Sequence, residues 1–169
     1  MSATLEQEVL DQSAEHEVTR KVAIICSKGS LDMAYPGLIM ANAARMMGME
    51  AMIFFTFWGL DIINKKKADR LHAGMLGNPS SPMPHSLMGL PGMEAFATRM
   101  MVKKMDDLDI PHVPEMLEIL DDAGAELYAC QLAMEMFDLT LEDLVPQVKE
   151  SLTAMDFWEK AEGAQVVFV

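Results

Sequence analysis

Two cysteines, Cys26 and Cys130, are the strongest nucleophiles in this chain. A thiolate attacks sulfur or carbon, and its reactivity follows its ionisation and exposure. Cys130 ends the apolar run AELYAC and stands where the helix-like pattern QLAMEMFDL begins. Unpaired backbone N–H groups at a helix start favour an anion. A cysteine there can ionise well below its usual value of about 8.5. Free cysteine is also among the most buried residue types. Cys130 is therefore either core filler or a presented thiol, and the residues leave both open. Cys26 follows Ile24 and Ile25 and reads as a packing residue, with a possible second role as a thiol.

Several thiol chemistries are excluded by spacing. A phosphatase-like loop needs an arginine six residues beyond its cysteine to grip phosphate oxygens in a bidentate fork. Those positions hold Asp32 and Met136. No Cys-x-x-Cys pair exists for thioredoxin-type exchange. Two cysteines and scattered histidines make no four-ligand zinc pattern, so no metal is expected. No Gly-rich loop matches a nucleotide fingerprint, and no organic cofactor is expected. Ser27, Lys28 and Ser30 form a weak anion-binding pattern after the first strand.

His85 and His112 read as exposed or capping residues rather than as catalytic bases, and His72 follows the basic segment with no visible carboxylate partner nearby in sequence. Trp58 and Gly59 close the run FFTFWG, which reads as aromatic packing and equally as an apolar wall beside a thiol. The 18 methionines read as core filler and adaptable contact surface. Met134 and Met136 are two apart, which on a helix puts them on different faces and argues against a Cu(I) pair.

The chain that must position these residues is 169 long, which suits one domain. Its formal net charge of -13 argues against nucleic acid as a partner. Lys and Arg are missing from the stretch between Met105 and Val148, and NKKKADR (64–70) holds the main basic cluster. Both read as solvated surface, or as faces that dock partners of opposite charge. No apolar run is long enough to span a membrane, and the polar N-terminus lacks a secretory pattern. Two free thiols then suit a cytoplasmic location.

Continuous apolar runs at 21–27, 49–58, 125–130 and 165–169 read as buried strands, with helices between them. The expected fold is α/β: a single-domain, doubly wound, mostly parallel sheet of four to five strands with helices on both faces. A fifth strand is expected in the middle segment. Residues 1–20 read as a flexible tail, 21–169 as the domain, and 73–92 as an irregular Pro/Gly-rich loop. Helices are expected at 32–47, 60–70, 93–108 and 111–124, and from Pro146 to Gly163. With the common order, in which the first strand lies between the second and the third, both thiols would meet at the switch point.

KVAIICSKGSLDMAYPGLIMANAARMMGMEAMIFFTFWGL, followed by GAELYACQLAMEMFDLTLEDL, resembles the DsrE/DsrF-like sulfur-trafficking family, nearest its DsrE3 branch. The resemblance runs from about Lys21 to Val169. It implies a sulfur carrier or sulfurtransferase in sulfur metabolism, with a persulfide or thiosulfonate on Cys130. It also implies homo-oligomeric assembly, as a trimer or tetramer. The partners it implies are small sulfur-carrier or rhodanese-like proteins and low-molecular-weight sulfane donors. The pocket expected around Cys130 comprises Ser27, Lys28, Trp58, Gly59 and Gln131. No second cysteine follows Cys130, which speaks against a local disulfide relay. Two other readings stay open: a redox protein pairing Cys26 with Cys130, and a non-catalytic oligomeric module.

Overall fold

A computed structural model describes residues 20–74 and 92–169. The expected tail and most of the 73–92 loop, including His85, lie outside the described residues.

Strand β1 (Lys21–Cys26) leads into helix α1 (Leu31–Met46), and β2 (Glu50–Phe55) follows. Two 3-10 segments come next, Phe57–Ile63 and Ala68–Arg70. Helices α2 (Met93–Asp106) and α3 (Val113–Asp122) precede β3 (Glu126–Cys130). The short helix α4 (Gln131–Met136) starts at the next residue. A 3-10 turn (Leu141–Asp143), β4 (Val148–Leu152), α5 (Ala154–Lys160) and β5 (Gln165–Phe168) complete the chain.

The five strands pair in parallel in the order β4-β3-β2-β1-β5. This corrects the expected neighbours: β1 lies between β2 and β5, and β2 separates β1 from β3. The order also dictates the layers. Right-handed crossovers that advance steadily from β1 to β4 put their helices on one face. The single return from β4 to β5 puts α5 on the other. The core divides accordingly. Ile24, Cys26, Ile53, Phe55, Leu127 and Ala129 face a large cluster built with α1, α3 and α4. Ala23, Met52, Phe54 and Tyr128 face a small one closed by Leu152, by Phe157 of α5 and by Ala161 just past it. Both faces of the central strands are thus buried, which explains their unbroken apolar runs.

Three expected elements differ. The second strand ends at Phe55, and the 60–70 region forms 3-10 turns rather than a helix. Phe57 takes a positive φ of 47°, which turns the chain out of the sheet. The helix expected from Pro146 splits into β4 and α5, so the fifth strand lies there and not in the middle segment. β4 is an edge strand in which Lys149 and Glu150 are exposed, so its apolar signal is thin. Thr153 starts α5 with a capping box: the Asp156 N–H donates to its Oγ1 at 3.2 Å, and its own N–H donates to the Asp156 carboxylate at 2.8 Å.

Candidate functional site

The carboxyl ends of β1, β2 and β3 lie side by side. Register sets Cys26 beside Phe55 and Phe55 beside Ala129, so Cys130 stands one residue further along β3. Ala129 shares the face of Cys26, and strand alternation turns Cys130 the other way. Two strand spacings separate the β1 and β3 backbones, roughly 10 Å. A disulfide needs α-carbons within about 7 Å. The thiols are therefore not a disulfide pair in this fold.

Cys26 is fully buried. Its sulfur packs against Gly37 of α1, where an added Cβ would stand 2.5 Å away. Burial pushes its thiol up to about 12, so it carries no thiolate near neutral pH. Cys130 differs in placement. It is half-buried and contacts both core clusters from the end of the sheet. It occupies the N-cap position of α4 with extended backbone (φ -75°, ψ 117°). The first-turn N–H groups of α4 have no intrahelical acceptors and lie just beyond it.

The remaining predicted residues divide into two groups. Gln131 adjoins Cys130, but its side-chain amide donates to Glu135 at 3.0 Å along α4. Ser27, Lys28, Trp58 and Gly59 form the adjoining loops after β1 and β2. The Ser27 hydroxyl donates to the Val169 carbonyl at 3.0 Å and ties β5 to β1. Gly59 passes so close to β1 that a Cβ there would lie 2.0 Å from the Cys26 carbonyl oxygen. Lys28 and Trp58 line one open cleft of about 680 Å³. Cys130 does not line it. Trp58 links the two regions, because its exposed ring stacks on Phe137, just past α4, with centroids 5.2 Å apart.

The cleft holds residues that sequence reasoning left on a solvated helix. Lys66, Lys67, Arg70 and His72 share it with Lys28. The basic run NKKKADR signalled Lys66, Lys67 and Arg70 but not His72, and its position relative to the loop after β1 depends on how the 3-10 segments fold back. His72 meets Glu94 at 3.1 Å, and His112 meets Asp106 at 2.9 Å. Both histidines are exposed and lie apart from Cys130 in the fold.

Comparison with known proteins agrees with this architecture. The model of the DsrE/DsrF/DrsH-like family matches residues 18–169. The chain is 36% identical over 146 residues to the sulfur carrier protein DsrE2 of Allochromatium vinosum, covering 82% of this chain and 91% of that protein. It is 25% identical over 161 residues to the uncharacterized protein YrkE of Bacillus subtilis, covering 90% of this chain and 99% of that one. A family model that matches residues 18–169, and a relative 36% identical over most of the chain, place this chain in the DsrE/DsrF/DrsH-like family.

Proposed function

We propose that this protein is a sulfur carrier that holds sulfane sulfur on Cys130 and relays it to partner thiols. The observation that carries this reading is the contrast between the two cysteines. Cys26 is sealed and held protonated, while Cys130 reaches the surface at the end of a central strand. The similarity to a protein named as a sulfur carrier supports it.

In the proposed reaction, the Cys130 thiolate attacks the outer sulfur of a donor persulfide, R–S–SH. A bond forms between Sγ and that sulfur, the donor S–S bond breaks, and its electron pair leaves on R–S⁻. Cys130 then carries –S–SH. An acceptor thiolate attacks the outer sulfur, takes it as R′–S–SH and returns Cys130 as thiolate. Each transfer conserves electrons, so no oxidant or cofactor enters. Sγ accepts no cap hydrogen bond in the resting protein, so the first-turn N–H groups of α4 are left for the outer sulfur once it is loaded.

The proposal includes small sulfur-carrier or rhodanese-like partners in the cytoplasm, and a homo-oligomeric carrier. Large apolar groups left exposed support assembly: Trp158 and Met155 on α5, Phe168 on β5, and Ile39, Met40, Met46 and Met47 along or just past α1. A helix that is apolar on nearly every side is built to be covered. Loading of the folded protein with polysulfide, read by intact mass, tests the assignment of Cys130.

A further inference from the structure

We propose that the groove on either side of Trp58 docks an acidic peptide segment of the partner protein. This names the partner class for the carrier role and takes its purpose from that reading, but the binding itself needs no sulfur chemistry.

Two cavities share one wall. The larger, about 680 Å³, runs beside Lys28, Arg70 and His72. The smaller, about 300 Å³, runs beside Phe137, Leu139 and Asp143. Trp58, Asp61, Lys66 and Lys67 line both. Together they make an extended trough that ends against Phe137, one residue beyond the helix that Cys130 caps. Such a shape fits a stretch of chain better than a compact oxyanion.

Four basic side chains, Lys28, Lys66, Lys67 and Arg70, line the two cavities with three acidic ones, Asp61, Glu94 and Asp143, in a molecule that is strongly acidic as a whole. A protein of net charge -13 repels acidic partners everywhere except where cations are gathered. Asp61 answers Lys67 at 2.7 Å, and Glu94 answers His72 at 3.1 Å. Among the described residues Lys28 makes no ion pair, Lys66 is 82% exposed and touches Asp143 at 3.8 Å, and Arg70 meets exposed Asp69 alone. Exposed pairs of this kind are weak and exchange readily for a partner's carboxylates. The Trp58 ring on the shared wall and the Phe137 ring in the smaller cavity add an apolar anchor. Cys130 lines neither cavity, and the groove approaches its region through Phe137, which follows α4.

The test uses full-length Cys130→Ser protein, which removes the proposed sulfur-bearing thiol. The probe is a short fluorescein-labelled peptide of alternating Glu and Gly with one terminal Phe, followed by anisotropy at low salt. Saturable binding is expected. Lys28→Glu with Arg70→Glu should weaken it about tenfold, or 1.4 kcal/mol. Lys103→Glu with Lys104→Glu, an equal charge change on α2 away from the groove, should leave it unchanged. A Lys/Gly/Phe peptide should not bind. The inference is overturned by an absence of saturable binding, or by equal weakening in both double variants. Displacement of the probe by inorganic sulfate beyond the effect of chloride at matched ionic strength would also overturn it, in favour of a small-anion site. Each of these failures leaves the sulfur assignment of Cys130 standing. Failed sulfur loading would in turn leave the groove's binding intact.

Discussion

The sulfur of Cys26 fills the space that a side chain at Gly37 would need: a Cβ there would stand 2.5 Å from Sγ. This close approach locks β1 to α1 and gives a glycine a reason to sit mid-helix. Alanine is the better helix former by about 1 kcal/mol, yet overpacking a filled core costs about 1–3 kcal/mol. Gly37→Ala should therefore lower stability by up to about 2 kcal/mol in urea denaturation rather than raise it as helix propensity alone would. Adding Cys26→Ala should recover part of that loss, because removing the sulfur opens the space. Additive losses in the double variant would contradict the packing account.

The same burial predicts unequal thiols. Iodoacetamide should label Cys130 in the folded protein and reach Cys26 only after unfolding. Peptide mapping of a time course checks this. Equal rates at both positions would mean that β1 opens readily or that Cys26 is not packed as described.

Alkaline stability follows from Cys26 as well. Burial raises its folded pKa to about 12, well above that of a cysteine in the unfolded chain. The folded state then holds a proton that the unfolded chain has lost. This contribution is complete below pH 9 and is lost as pH rises toward 12. The loss is on the order of 3–4 kcal/mol across that window. Cys26→Ala should flatten the decline seen in denaturation midpoints measured from pH 8 to pH 11. A slope unchanged by the substitution would show that other groups carry it.

At acid pH the capping boxes govern. Hydrogen bonds from the Thr153 side chain and backbone hold Asp156 below the usual carboxylate range, and those from the Thr140 backbone and side chain do the same for Asp143. A depressed folded pKa stabilises above the unfolded value and loses that contribution as pH falls through the folded one. Stability from these caps should hold from pH 7 to pH 5 and fail only below the ordinary carboxylate pKa. Thr153→Ala should cost about 1 kcal/mol at pH 7. Its deficit against wild type should shrink as pH drops below 4, where the cap weakens in both. A deficit that persists undiminished at pH 2–3 would contradict the capping assignment.

The buried strands could be read from the sequence because each is apolar on both faces. KVAIIC and ELYAC announce themselves this way, and their ends place Cys26 and Cys130 at the same edge of the sheet. The edge strand VKESL could not be read so, since Lys149 and Glu150 face solvent and only Leu152 is deeply buried. Strand order was also hidden. Nothing local to residues 21–26 says that β5 rather than β3 lies beside them, so the expected meeting of the two thiols failed. Among the pocket residues, Lys28 and Trp58 come together because two loops touch, with Gly29 and Gly59 permitting backbone contact. The basic run 64–70 joins them through tertiary folding that no periodicity records.

The central claim is that Cys130 is the sulfur-bearing atom, and one measurement reaches it directly. Wild type, Cys26→Ser and Cys130→Ser are exposed to polysulfide under native conditions, and intact masses are compared before and after reduction. The account predicts a gain of sulfur atoms, reversed by reductant, in wild type and in Cys26→Ser, and no gain in Cys130→Ser. A full gain in folded Cys130→Ser would contradict it.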